Sequence, residues 1–294
     1  MNTTNTFKPF RILGEYSSHI RAFKPNARLY LLNVIITGAV MGIFRLIFNF
    51  YALSLGFDES VLGNLITTSS FVALIAALPM GYLADMIGRK GSLILSSLLL
   101  AFSVIAMALW KSETSLYTMN VVSGLAQSLA GVTMSPFLME NSDEKERTYL
   151  FSFGQGLQMT MASIGNWVGG YLPTWMSQTQ HVSATSSSAY GNSILIAGIG
   201  ALIAVLPLVF IKSPNITKSQ RAVFAPFQYA AKNPGLLTKL VLPMLLTSLG
   251  AGLIMPFMNV FFRVVHHQPD PVIGTLFAWG SSRRIPLPLY PRLT

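Results

Sequence analysis

Asp85, Arg89 and Lys90 fall within one short stretch, Gly81-Tyr-Leu83-Ala-Asp85-Met-Ile-Gly88-Arg89-Lys90-Gly91, between two long apolar runs. A carboxylate, a helix-stopping glycine and two cations are thus packed into a tight connection between two apolar hairpin arms. A second polar feature, Arg45 with Asn49 one turn on, interrupts the first apolar run. An intramembrane cation of this kind either meets an anionic or polar group in a cavity or snorkels and bonds carbonyls to lock helix packing. Both readings stay open for Arg45, with Asp58 and Glu59 as candidate partners. Catalytic and metal-binding patterns are missing: the chain has no Cys, and His19, His181, His266 and His267 all lie outside the apolar runs. No catalytic residue, metal or cofactor is therefore expected.

The elements that must position these residues are membrane helices. The 294-residue chain is 52% hydrophobic and 10% charged, against about 25% charged for a soluble domain. Apolar runs of about 20 residues or more, long enough to cross hydrocarbon as helices, are predicted at 29–55, 61–87, 92–110, 116–139, 149–176, 193–211 and 236–262. They show no alternation of the kind a barrel strand needs, so the fold class is an all-α membrane protein. An eighth apolar run, 272–280, would span about 14 Å as a helix, under half of a hydrocarbon core. It is followed by Ser281, Ser282, Arg283, Arg284 and a proline-rich tail. The tail is expected to be aberrant or disordered, from a fragment or an altered reading frame near Gly280; the alternative is an intact periplasmic tail.

Loop charges orient the chain. The N-terminal segment 1–28 carries Lys8, Arg11, Arg21, Lys24 and Arg28; Arg89 and Lys90 follow the second run, Lys145 and Arg147 the fourth. Lys212, Lys218, Arg221 and Lys232 follow the sixth, with Lys239 just inside the seventh, and the alternate loops offer only Lys111. The positive-inside rule then places the N-terminus, the Asp85 loop and the linker 212–235 in the cytoplasm, and the chain is expected in the plasma membrane. The net charge of +10 is accounted for by this orientation, and no nucleic-acid partner is expected. The predicted domains are thus 1–28, a six-helix bundle at 29–211, the linker 212–235, the start of a second bundle at 236–280 and a tail at 281–294.

Polar stripes suggest which helices line a cavity. Gly38, Gly42, Arg45 and Asn49 share one helical face, as do Asn120, Gly124, Gln127 and Gly131, while Gln155, Gln158, Ala162 and Asn166 form a similar stripe. Asn64 and Thr68 are one turn apart in the second run, whereas the third and sixth carry no amide or charge in their cores. The first, second, fourth and fifth runs are expected to be cavity walls, and Arg45, Asn49, Asn64, Asn120, Gln127, Gln155 and Gln158 are candidate solute-binding residues. Interhelical packing is the alternative use of such small residues and amides.

The pattern Gly81-x-Leu83-Ala84-Asp85-x-x-Gly88-Arg89-Lys90-x-x-Leu93 resembles the signature between helices two and three of the major facilitator superfamily. Met86 departs from it, where the family often has Arg. The resemblance covers one complete six-helix half and the first one or two helices of the second. It implies two pseudo-symmetric bundles with a small solute bound at midplane and carried by alternating access. It implies that helices one, two, four and five line the cavity while three and six face lipid. It also implies that Asp85 clasps the opposite bundle, that Arg89 braces the loop, and that Gly81 and Gly88 allow close helix contact and the turn. The alternative is that Arg89 and Lys90 are cytoplasmic anchors and Gly88 a helix cap. The run Glu140-x-x-Asp143-Glu144-Lys145-Glu146-Arg147 is on the same side and can pair with Arg89 and Lys90, or simply be solvated.

Two further family patterns are incomplete. Helix four reads Asn120-Val-Val-Ser-Gly124 without the family's Arg, and helix five reads Gly165-Asn166-Trp167-Val168-Gly169-Gly170 without its Pro. No Asp or Glu lies deep in the first six runs, so the coupling ion is left unassigned. The expected partners are the lipid bilayer and a small-molecule solute, with Arg45 favouring an anionic one. A non-transporting fragment of such a carrier and an integral-membrane enzyme are the competing functions.

Overall fold

The computed structural model describes residues 23–212 and 234–282. The N-terminal segment up to residue 22, almost all of the expected linker and the tail beyond residue 282 lie outside the described residues. Every regular element among the described residues is a helix. α1 is Pro25–Ser54, and Glu59–Leu109 is broken at Gly88 into α2 (59–87) and α3 (89–109). α4 is Glu113–Glu140 and α5 is Glu144–Gln180. α6 is Ser187–Val209, interrupted at Ala204. α7, Pro234–Ile254, passes through the 3₁₀ turn Met255–Phe257 into α8, Met258–Val264; α9 is Asp270–Ser282.

These limits follow from local chemistry. Pro25 opens α1 at a position whose N–H has no helical partner. Asp58 caps α2 by accepting from Val61 N at 2.8 Å, and Ser186 caps α6 through Ala189 N at 3.2 Å. Asp58 is thereby used as a cap, and neither candidate partner, Asp58 or Glu59, pairs with Arg45. Arg45 lies nine residues, about 14 Å, inside the end of α1, too far along the helix for either to reach it. At Gly88 the backbone has φ 79° and ψ 165°, a region open in practice only to glycine. The connection between α2 and α3 is therefore a single residue.

Most helices extend beyond the apolar runs, because polar caps and first turns belong to the helix but not to the hydrocarbon-facing segment. α9 likewise starts at Asp270, two residues before its apolar run. α5 is the exception to the hydropathy rule. It is long, but it is not among the helices that meet the length-and-hydropathy requirement for crossing a membrane, since Gln155, Gln158, Thr160, Ser163 and Asn166 dilute its apolar content.

Packing is by close approach of small residues. A side-chain carbon at Gly42 would collide with Ala162 O on α5, and one at Gly165 with Ala39 O on α1. One at Gly38 would stand 3.0 Å from Gln158 O. α1 and α5 thus touch backbone to backbone along paired i, i+4 glycines. The Gly38–Gly42 part of the α1 stripe is a helix contact, which corrects its assignment to a cavity wall. Gly124 does the same for α4 against Ser69 O of α2, at 2.5 Å. α3 packs on α6, with Gly198 close to Ile105. The outward faces of both carry exposed Leu98, Phe102, Ile196, Ile199, Leu202 and Leu206.

The two larger of three apolar clusters lie toward opposite ends of the described helices. One joins Phe23, Tyr30, Leu31, Leu93, Phe137, Leu150 and Leu208, all from α1–α6 or the residues just before α1. It lies at the end that also carries Lys24, Arg89 and Lys212, here called the basic end. The other joins Ile47, Tyr51, Leu62, Met107, Leu116 and Tyr190 to Val260 of α8 and Ile273 of α9. Of these two clusters, this one alone includes described residues of the second set of helices.

Candidate functional site

The Asp85 motif is built on the Gly88 break. Asp85 ends α2 and Arg89 begins α3, so the one-residue turn leaves them at i, i+4 spacing with Arg89 Nη1 3.0 Å from Asp85 Oδ1. Arg89 Nε also reaches Glu140 Oε1 at the end of α4, at 3.4 Å. All three side chains are between about a quarter and two-fifths exposed, which makes this a partly solvated ionic cluster. Beside it, Lys24 pairs with Asp143 at 2.8 Å. Asn26 ties the start of α1 to Asn141 at 2.9 Å and to Lys212 O at 2.8 Å. Gly88 provides the turn, while a side chain at Gly81 would meet nothing within 4 Å. Leu83 is half-buried, and so is Lys90.

The candidate solute residues separate into two groups. Arg45, Asn64, Gln127, Gln155 and Gln158 are exposed. Gln155 and Gln158 border a small cleft with Tyr30, Val34, Met134 and Phe151 between α1, α4 and α5. Gln127 donates to Ser123 Oγ on its own helix at 3.3 Å. Arg45 has no hydrogen bond or ion pair among the described residues. Asn49 and Asn120 form the buried group, at 4% exposure each. Asn120 donates to Leu116 O one turn back at 2.9 Å, a bond that leaves its amide nitrogen committed to the helix.

Asn49 instead points across to the second set of helices. Its Nδ2 donates to Pro256 O at 2.7 Å and to Asn259 Oδ1 at 2.8 Å, and Asn259 Nδ2 returns a bond to Leu46 O at 2.9 Å. Nearby, Tyr190 of α6 donates its hydroxyl to Asp270 Oδ2 at 2.7 Å, and Arg263 of α8 donates to Asp270 Oδ1 at 2.5 Å. The Arg263 guanidinium lies 4.2 Å from the centre of the Phe50 ring. A side chain at Gly170 of α5 would come within 2.7 Å of Asp270 O and 3.1 Å of Gly274 Cα. Sequence reasoning did not single out Tyr190, Asn259, Arg263 or Asp270. Asn259 carried a usable signal, an amide inside an apolar run, the same one that drew notice to Asn49.

The arrangement is six helices packed as α1–α5, α2–α4 and α3–α6, with a charged single-residue turn between α2 and α3 and further helices docked at one end. The sequence profile of the Major Facilitator Superfamily matches residues 30–282. The chain belongs to the major facilitator superfamily. It is therefore a multi-pass membrane protein, and the Gly81–Leu93 stretch lies around the break between its second and third helices. Among solved structures, the chain is similar to a bacterial homolog of the human lysosomal transporter Spinster, in an inward-facing and unoccupied conformation. The TM-score is 0.64 at 14% identity, over 94% of this chain and 60% of that one. The chain thus spans about three-fifths of the length of that structure, and at this identity the likeness concerns the fold. No curated protein sequence matches the chain.

Proposed function

We propose that this superfamily member carries a small solute by alternating access, in the plasma membrane, with its N-terminus and the Asp85 turn in the cytoplasm. The observation that carries the proposal is the inequality of the two ends. Among the described residues, polar bonds join α1 and α6 to α8 and α9 only at the end away from Arg89. A carrier closed on its outer side needs such contacts there and none at the cytoplasmic mouth. The family's assignment of Asp85 as a latch fits a carboxylate held by Arg89 near the cytoplasmic mouth, where a second bundle would close.

The solute is proposed to carry negative charge. Arg45 is a cation inside a span, exposed and without an ionic partner among the described residues; an anionic group offers the compensation it lacks. Asn64, Gln127, Gln155 and Gln158 supply neutral donors and acceptors, and the coupling ion is left open. The test is a thermal-shift screen of anionic and neutral solutes on the purified protein and on Arg45→Ala, followed by uptake into liposomes. The proposal expects stabilisation by an anion that disappears in Arg45→Ala, and uptake of that anion. Equal stabilisation of both forms overturns the role of Arg45, and no uptake of any stabilising solute overturns carriage.

A further inference from the structure

Among the buried described residues, at 7% exposure, Asp270 is the one that carries charge. A buried carboxylate is tolerable only when its charge and lone pairs are compensated. The compensation here is divided between the two halves. Arg263, from α8, belongs to the same half as Asp270 and is separated from it by one short loop. Tyr190, from α6, belongs to the other half, is fully buried, and bonds the second carboxylate oxygen. Phe50 of α1 lies under the Arg263 guanidinium on the same side as Tyr190.

Separation of the halves therefore breaks the Tyr190 hydroxyl bond and the Phe50 contact while leaving the Asp270–Arg263 ion pair whole. Once water enters, that pair is an ordinary solvated one and loses little. Asn49 and Asn259 behave alike: both their mutual bond and the bonds to Leu46 O and Pro256 O cross the boundary, and water can replace each of them. The contacts are costly to lose while dry and readily exchanged when wet. A permanent structural joint needs neither property, and a joint that opens and recloses needs both. The Gly170–Gly274 approach beside it brings α5 and α9 backbone to backbone, without side chains that would have to disengage.

We propose that Tyr190 and Asp270, with Arg263 as the residue that positions the carboxylate, are an outer clasp between the halves, and that the Tyr190–Asp270 bond breaks each time the outer mouth opens. This rests on the carrier orientation proposed above. The test uses the absence of Cys from the chain. Val260, on α8 beside Asn259 and 7% exposed, is replaced by Val260→Cys as the single thiol. Labelling by a membrane-impermeant maleimide is then timed from the outside and from the cytoplasmic side. The proposal expects slow labelling in this background and about tenfold faster outside labelling when Tyr190→Phe removes one hydrogen bond. Asp270→Asn should act in the same direction.

Tyr190→Phe keeps the ring and its packing, so it is the variant that folds even if Asp270→Asn does not. Unchanged labelling in Tyr190→Phe overturns the clasp. Acceleration of both sides equally also overturns it, since loosened packing is then the cause. Acceleration from the cytoplasmic side alone overturns its placement at the outer mouth. Labelling requires no solute, so faster outside labelling in a protein that moves no solute supports the clasp while removing the carrier reading.

Discussion

At the basic end Arg89 reaches Asp85 and Glu140, all three from the first six helices and all partly exposed. At the opposite end Asn49 and Tyr190 reach Asn259 and Asp270 across the boundary between halves, at 4%, 0%, 3% and 7% exposure. The difference is one of solvent as much as of partner. Exposed ion pairs contribute between nothing and about 1 kcal/mol, because water competes for both charges. Buried polar groups that lose a partner cost about 1–3 kcal/mol each. The ion pairs of the family signature are therefore weak fasteners, and the bonds that attach α8 and α9 to the first bundle lie outside it.

Substitutions measure that contrast. The largest effect is expected between α1 and α5: Gly42→Ala drives a methyl into the Ala162 carbonyl and should cost about 3 kcal/mol through overpacking. Gly131→Ala, where a side chain meets nothing within 4 Å, is the matched control and should be neutral or slightly stabilising. Denaturant unfolding in detergent measures both. Next, Asn259→Ala removes its bonds with Asn49 and Leu46 O and leaves only the Asn49–Pro256 bond at this point of the boundary, which should cost about 2 kcal/mol. In the same assay, Gly88→Ala should cost about 1.5 kcal/mol from backbone strain alone, since the added carbon has open space around it. Smallest is Glu140→Gln at the basic end, expected to change stability by less than about 0.5 kcal/mol. A loss comparable to that of Asn259→Ala would mean the two ends are fastened alike.

The helices were legible in the sequence because hydrocarbon demands long apolar runs, and the Gly81–Leu93 signature was legible because its residues are contiguous. α5 was recognised despite its amides, since its flanking residues remain apolar. The polar stripes were harder. Gly38, Gly42, Arg45 and Asn49 have one spacing but three fates, namely backbone contact with α5, exposure, and a bond across to α8 and the turn before it. Spacing names a face but not what faces it. Asp270 and Arg263 flank the loop His266-His267-Gln268-Pro269 and read as ordinary loop charges. Their significance depends on Tyr190, 80 positions from Asp270, a separation that no local pattern encodes.

If the ends open in opposition, as proposed, the Tyr190–Asp270 bond holds the outer end shut. Two spin-label pairs test it, each introduced on the naturally Cys-free chain: Thr185→Cys with Val265→Cys across the outer end, and Glu144→Cys with Thr238→Cys across the basic end. Distances are measured by pulsed electron resonance, with and without Tyr190→Phe. Opening in opposition predicts a short, narrow outer distance that gains a longer population in Tyr190→Phe, while the basic-end distance shifts shorter. An outer distance unchanged by Tyr190→Phe, or two distances that lengthen together, would contradict it.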